Sequence, residues 1–169
     1  MPFTPSHLGP ALFFGLLLFR YIHFPTFLIA NIIPDIEPFL VLFLNLDYPL
    51  HGFFHSFAGG SIVAIVLALL MGKLDKYIQD LAGIFKLRQD FSSKRIWIAS
   101  FSGIYLHILF DSPLYWDIKP FYPSGFNPFF GIFPGFDIYI LCILLFIAGV
   151  LIYGYKFYFK NKPNSRIVV

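Results

Sequence analysis

Charge is scarce in this sequence. Lys, Arg, Asp and Glu make up 12% of its 169 residues, about half the roughly 25% of an ordinary soluble domain. A soluble fold of this length has no means of hiding the 58% that is hydrophobic. An integral membrane protein of one domain is therefore expected. Cysteine is nearly missing as well: Cys142 stands alone, which excludes an internal disulfide framework and says nothing about redox compartment. The first seven residues carry no Lys or Arg, so no cleavable signal peptide is expected. There is no internal repeat or low-complexity tract, and no P-loop, G-x-S-x-G or dinucleotide fingerprint. Disorder and nucleic-acid binding are excluded by the same apolar composition.

The apolar runs imply an all-α, multi-pass transmembrane helical bundle. Residues 52–72 match the roughly 20 residues needed to cross a 30 Å hydrocarbon core. Residues 138–155 come close to full length and residues 96–110 are slightly short. The N-terminal third is less regular. A run over 8–19 ends at Arg20, a second over 25–33 ends at Pro34, and a third covers 39–46. At about 1.5 Å per residue the last two reach only about half way across. They read as a broken or re-entrant helix and an interfacial helix, which implies backbone buried in protein or lining a cavity. Residues 1–160 form the membrane-embedded domain, and residues 161–169 read as a cytoplasmic tail.

The few charges suggest an orientation. Residues 73–95, read as a loop, hold Lys73, Lys76, Lys86, Arg88, Lys94 and Arg95. The tail adds Lys156, Lys160, Lys162 and Arg166, whereas 112–136 hold only Asp117 and Lys119. The positive-inside rule puts the 73–95 loop and the C-terminus in the cytoplasm. Then His7, Asp35, Glu37, His51, His55, His107 and Asp111 collect near the outer face. Ionisable groups at mid-membrane cost roughly 2.5–3.5 kcal/mol on insertion scales, and they persist when they pair, bind ions or react.

His51 and His55 are spaced i,i+4, as are His107 and Asp111, so on helices each pair shares a face. Two such pairs beside an Asp35–Glu37 corner point to a divalent metal site. His7, Asp35, His51, His55, His107 and Asp111 are the candidate ligands, and Glu37 or Asp111 the candidate general base. Mixed His and carboxylate ligands suit Zn²⁺, then Mn²⁺ or Fe²⁺. Such a metal lowers the pKa of its water to about 7. His23, beside Phe24-Pro25, reads as an interfacial histidine. The aromatic segment 114–134 reads as an interfacial belt or a lid over the site. A non-catalytic protein stapled by its metal, and an ion or small-molecule transporter, are the alternatives. An open coordination position would set an enzyme apart from the first. A polar path to both faces would be needed for the second.

These residues resemble a known family. Met1-Pro-Phe-Thr-Pro-Ser-His7, the Pro34-Asp-Ile-Glu37 corner, Gly52-Phe-Phe-His-Ser56 and His107-x-x-x-Asp111 look like the LexA-regulated, membrane-bound metal-dependent hydrolases of the YdjM-like group. The family pattern carries over to His7, Asp35, His55, His107 and Asp111. Glu37 stands where a second Asp is usual, His51 where an Arg is usual, and Leu50 where a His is usual. The group is distantly similar to zinc-dependent phospholipase C and P1-type nucleases. The resemblance thus implies hydrolysis of a phosphoester, with a membrane lipid as the expected substrate.

Overall fold

Proline sets the helix boundaries in the N-terminal third. In the computed structural model, which describes residues 5–156, a 3₁₀ turn over Pro5–His7 leads into α1, Leu8–Leu17. Helix α2, Phe24–Ala30, carries Pro25 in its first turn, where a missing N–H deprives the helix of no bond. A 3₁₀ turn at Ile33–Asp35 contains Pro34, and α3, Ile36–Phe43, again has a proline, Pro38, in its first turn. The result is a broken helix. Taken together, Phe24–Phe43 is 20 residues long and apolar enough to cross a membrane.

Three longer helices follow: α4, Phe57–Ile84; α5, Ser93–Asp111; and α6, Gly135–Gly154. No strand occurs among the described residues. Helix α5 is the inner helix, packed on α2 and α4, while α1 packs on α6. Close approach depends on small residues. A Cβ on Gly103 would lie 2.5 Å from Ala30 Cβ and 3.1 Å from the Phe27 carbonyl oxygen. Ala30, Ala64, Ile104 and Ile108 fill the seam between α2, α4 and α5. Helix α6 leaves Ile143, Leu144 and Ile147 exposed, the surface expected of a helix facing lipid.

Three sequence expectations need correction. The helix expected over 52–72 starts later, at Phe57, and runs on to Ile84. Residues 73–84 are therefore helix, and the connection to α5 shrinks to 85–92. No proline interrupts that stretch, and Asp75 and Gln79 fall i,i+4 on its buried side. At 28 residues α4 is about 42 Å long and overshoots a 30 Å hydrocarbon core. Second, α5 is not among the helices long and apolar enough to cross by composition; these are Phe24–Phe43, α4 and α6. Ser100, His107 and Asp111 face the bundle, and the Ser100 hydroxyl donates to the Ala64 carbonyl (2.7 Å).

Third, His23 is not interfacial but only 1% exposed. The extension of α4 supplies its partners. His23 Nε2 meets Asp75 Oδ1 at 3.0 Å and Gln79 Nε2 at 2.5 Å, while Nδ1 bonds the Thr26 hydroxyl at 2.6 Å. From the 85–92 connection, Gln89 accepts from Phe24 N–H (2.8 Å) and donates to the carbonyls of Phe19 (2.6 Å) and Ile22 (2.9 Å). This knot ties the α1–α2 turn to α4. The tail residues Lys160, Lys162 and Arg166 lie outside the described residues.

Candidate metal centre

Four segments deliver side chains to one buried place. His7 ends the first 3₁₀ turn, and Asp35 sits in the turn between α2 and α3. His107 and Asp111 lie one turn apart at the end of α5. Asp111 Oδ1 is 2.9 Å from His7 Nε2. His107 Nε2 lies 3.3 Å from Asp111 Oδ2 and 3.7 Å from Asp35 Oδ1. The rings of His7 and His107 stack at 4.0 Å. Each of these four residues offers a ligand atom within 4.8 Å of the others, and all four are buried. His51, His55 and Asp111 form a second such group, again buried. Asp111 belongs to both.

Three of the histidines, His51, His55 and His107, share one pattern of orientation. Glu37 Oε2 lies 2.8 Å from His55 Nδ1. The Asn31 carbonyl lies 2.8 Å from His107 Nδ1. Asp117 Oδ1 lies 3.0 Å from His51 Nδ1, and the His51 N–H donates to Oδ2 at 3.0 Å. In each ring Nδ1 is therefore occupied by an oxygen. For His55 the opposite atom, Nε2, is buried without a hydrogen-bond partner in the protein, and His107 Nε2, which makes no well-aligned hydrogen bond, faces only the carboxylates of Asp111 and Asp35. Buried polar atoms are rarely left so. An oxygen on one ring nitrogen fixes the tautomer that leaves the other free to bind metal. These buried His and Asp groups can hold a metal ion.

Outside the spanning helices, electrostatics fits this arrangement. Burial works to raise the Asp117 carboxyl, but the hydrogen bonds from the His51 ring and backbone outweigh it and hold the group below the usual carboxylate range. Burial pushes the His55 imidazole down, against the hydrogen bond to Glu37, so His55 favours the neutral form that a ligand requires.

The structure brings together His7, Asp35, His51, His55, His107 and Asp111. The local conformation around two of them differs from expectation. His51 lies in a bend and His55 in the 3₁₀ turn Phe53–His55, not on one α-helix. Helix α4 starts only after its N-cap, Ser56, whose hydroxyl accepts from Gly59 N–H (3.0 Å). Glu37, expected at the metal as a general base, belongs to neither ligand group among the described residues. It bonds His55 and accepts from Phe54 N–H (3.2 Å). Sequence reasoning missed Asp117 and Asn31. Asp117 partners a histidine 66 residues away, and Asn31 acts through its backbone carbonyl, so neither carries a local signal.

The segment 112–134 folds back over this end of the bundle. The Asn127 amide donates to the carbonyls of Ser112 (2.8 Å) and Tyr115 (3.2 Å). The Pro120 carbonyl accepts from Phe57 N–H at 2.9 Å. The Tyr115 ring lies 4.2 Å from the His51 ring.

No curated protein and no solved structure matches the chain. A family model does, over nearly the whole sequence: the chain belongs to the YdjM inner membrane protein family, whose model it fits over residues 1–168.

Proposed function

We propose that the chain is a membrane-bound metal-dependent hydrolase acting on a phosphoester. One observation carries the reading. The buried Nε2 atom of His55 lacks a hydrogen-bond partner, and that of His107 makes no well-aligned hydrogen bond and faces two carboxylates, in rings whose Nδ1 atoms are already tied. A purely hydrogen-bonded cluster would use those atoms, since each buried polar group left unsatisfied costs about 1–3 kcal/mol. Four histidines and two aspartates favour Zn²⁺, with Mn²⁺ or Fe²⁺ next. When bound, such an ion acidifies a water and polarises the phosphoester.

The residues then divide the work. His7, Asp35, His107 and Asp111 make a four-residue set, enough to complete a tetrahedral site by themselves. His51, His55 and Asp111 make a three-residue set, which leaves a fourth position for water, the mark of a catalytic site over a structural one. Asp111 belongs to both sets; it would serve an ion held by either, and two such ions would together activate a water and polarise a phosphoester. Glu37 and Asp117 act as positioning residues that aim His55 and His51. Burial of all six ligand residues keeps bulk water away from the centre. The three-residue set is what favours an enzyme over a metal-stapled structural protein. A transporter is disfavoured because the other buried polar cluster, around His23, satisfies itself through internal bonds.

The positive-inside bias of Lys86, Arg88, Lys94 and Arg95 supports a cytoplasmic α4–α5 connection, which would put the centre near the outer face. The deciding experiment is a hydrolysis screen on purified protein, using phosphomonoesters and phosphodiesters. Turnover should vanish on chelation and return with Zn²⁺ or Mn²⁺, and Asp35→Asn should abolish it. A folded, metal-loaded protein that cleaves no phosphoester would overturn the reading.

A further inference from the structure

A groove of about 450 Å³ runs along α3, within the range of ligand sites. Its walls are apolar: Ile33, Ile36, Leu40 and Val41 on one side, Phe54 and Val63 on the other. Glu37 is the charged residue lining it, and its carboxylate turns away, toward His55 Nδ1 and Phe54 N–H. The groove thus presents hydrocarbon along its length and ends beside the residue that aims a ligand of the metal centre. Much of its wall belongs to the apolar stretch Phe24–Phe43, so the medium outside it is lipid.

A second cavity, about 290 Å³, adjoins it and carries polar and charged side chains among aromatic ones. Lys119, His51, Asp117 and Ser56 line it. Tyr48 lines both spaces. Its hydroxyl accepts from Phe53 N–H at 3.0 Å, and its ring covers Gly52 so closely that a Cβ there would collide with Tyr48 Cε1. Tyr48 therefore marks the border where the two spaces meet, with hydrocarbon on one side and, on the other, a chamber holding Lys119 and reaching His51.

We infer that this pair of cavities binds a phosphate-bearing membrane lipid, one acyl chain along α3 and the phosphate in the chamber at Lys119. An apolar groove open to the bilayer takes a hydrocarbon chain because nothing else surrounds it. The neighbouring ammonium group selects an anionic headgroup. Delivery of that phosphate for cleavage rests on the hydrolase reading above; the seat of the chain does not.

The test uses full-length protein in phospholipid vesicles containing phosphatidic acid with a diazirine in its acyl chain. Irradiation and peptide mapping locate the adducts, and metal content and turnover of a water-soluble phosphoester are measured on the same sample. Adducts should concentrate on α3 and Phe54, well above those on the outward residues Ile143, Leu144 and Ile147 of α6. Leu40→Trp, at a partly exposed groove position, should reduce groove labelling by about tenfold, since it displaces the contacts of a few methylenes, with metal content unchanged. Diacylglycerol carrying the same diazirine should label the groove less than phosphatidic acid, and Lys119→Ala should erase that difference. Labelling spread evenly over α3 and α6 would overturn the groove. Equal labelling by the two probes would overturn the phosphate chamber. Either result with soluble phosphoester still cleaved leaves the hydrolase reading standing. Focused labelling without any turnover would sink that reading and keep the lipid site.

Discussion

Glu37 Oε2 and His55 Nδ1 stand 2.8 Å apart, on the side of the ring opposite the unpartnered Nε2. The carboxylate therefore acts on the imidazole before it acts on anything else. Glu37→Gln should weaken metal binding by about 10–100-fold, the usual worth of such an outer partner, with activity falling in parallel. Metal titration with a competing chelator measures the first and turnover the second. A general base would behave differently, losing activity with metal retained.

Metal stoichiometry should be two per chain. His51→Ala or His55→Ala should remove one ion, since the four-residue group at His7, Asp35, His107 and Asp111 survives intact. Asp111→Asn should remove both. Elemental analysis of folded, detergent-purified protein decides, and a wild type holding one ion after zinc supplementation would contradict the division.

Acid should act on the His51–Asp117 contact in one direction. The Asp117 carboxyl lies below its ordinary value in the folded state. Its contribution to stability is then complete above the unfolded value of about 3.9 and lost as pH falls through the lower folded one. The stability gap between wild type and Asp117→Asn should be constant from neutral pH to about 5 and shrink below about 4. Thermal unfolding in detergent across that range measures it.

Gly103 is where α5 can least tolerate bulk, because Ala30 Cβ and the Phe27 carbonyl crowd it. Gly103→Val should destabilise by about 1–3 kcal/mol and loosen the Asn31–His107 bond four residues on. Gly72, where an added Cβ would meet nothing within 4 Å, is the control, and Gly72→Ala should be close to neutral. Denaturation midpoints together with metal content separate the two.

Much of the architecture is legible in proline and apolar length. Pro25, Pro34 and Pro38 announce a broken helix in place of a continuous one, because each must fall in a first turn or a break. The pairs His51/His55 and His107/Asp111 stand out because ionisable groups are rare in so apolar a chain. What stays hidden depends on tertiary contact. Charge over 73–84 reads as a loop, yet Asp75 and Gln79 face inward on a helix because His23 waits there. His23 in turn reads as interfacial only until that helix is extended. Asp117 reads only as one of two charges in the 112–136 loop, and no spacing rule links it to His51.

The bonds that complete the centre join distant parts of the chain: Asn31 to His107 across 76 residues, His51 to Asp117 across 66. During synthesis the early residues of the centre are therefore made long before their partners. His51 and His55 wait unaimed until α5 and the segment after it have emerged, and a chain stopped short of Asp117 leaves His51 without its carboxylate. The six candidate ligands coexist only once α5 is complete at Asp111, and the carboxylate that aims His51 comes six residues later still.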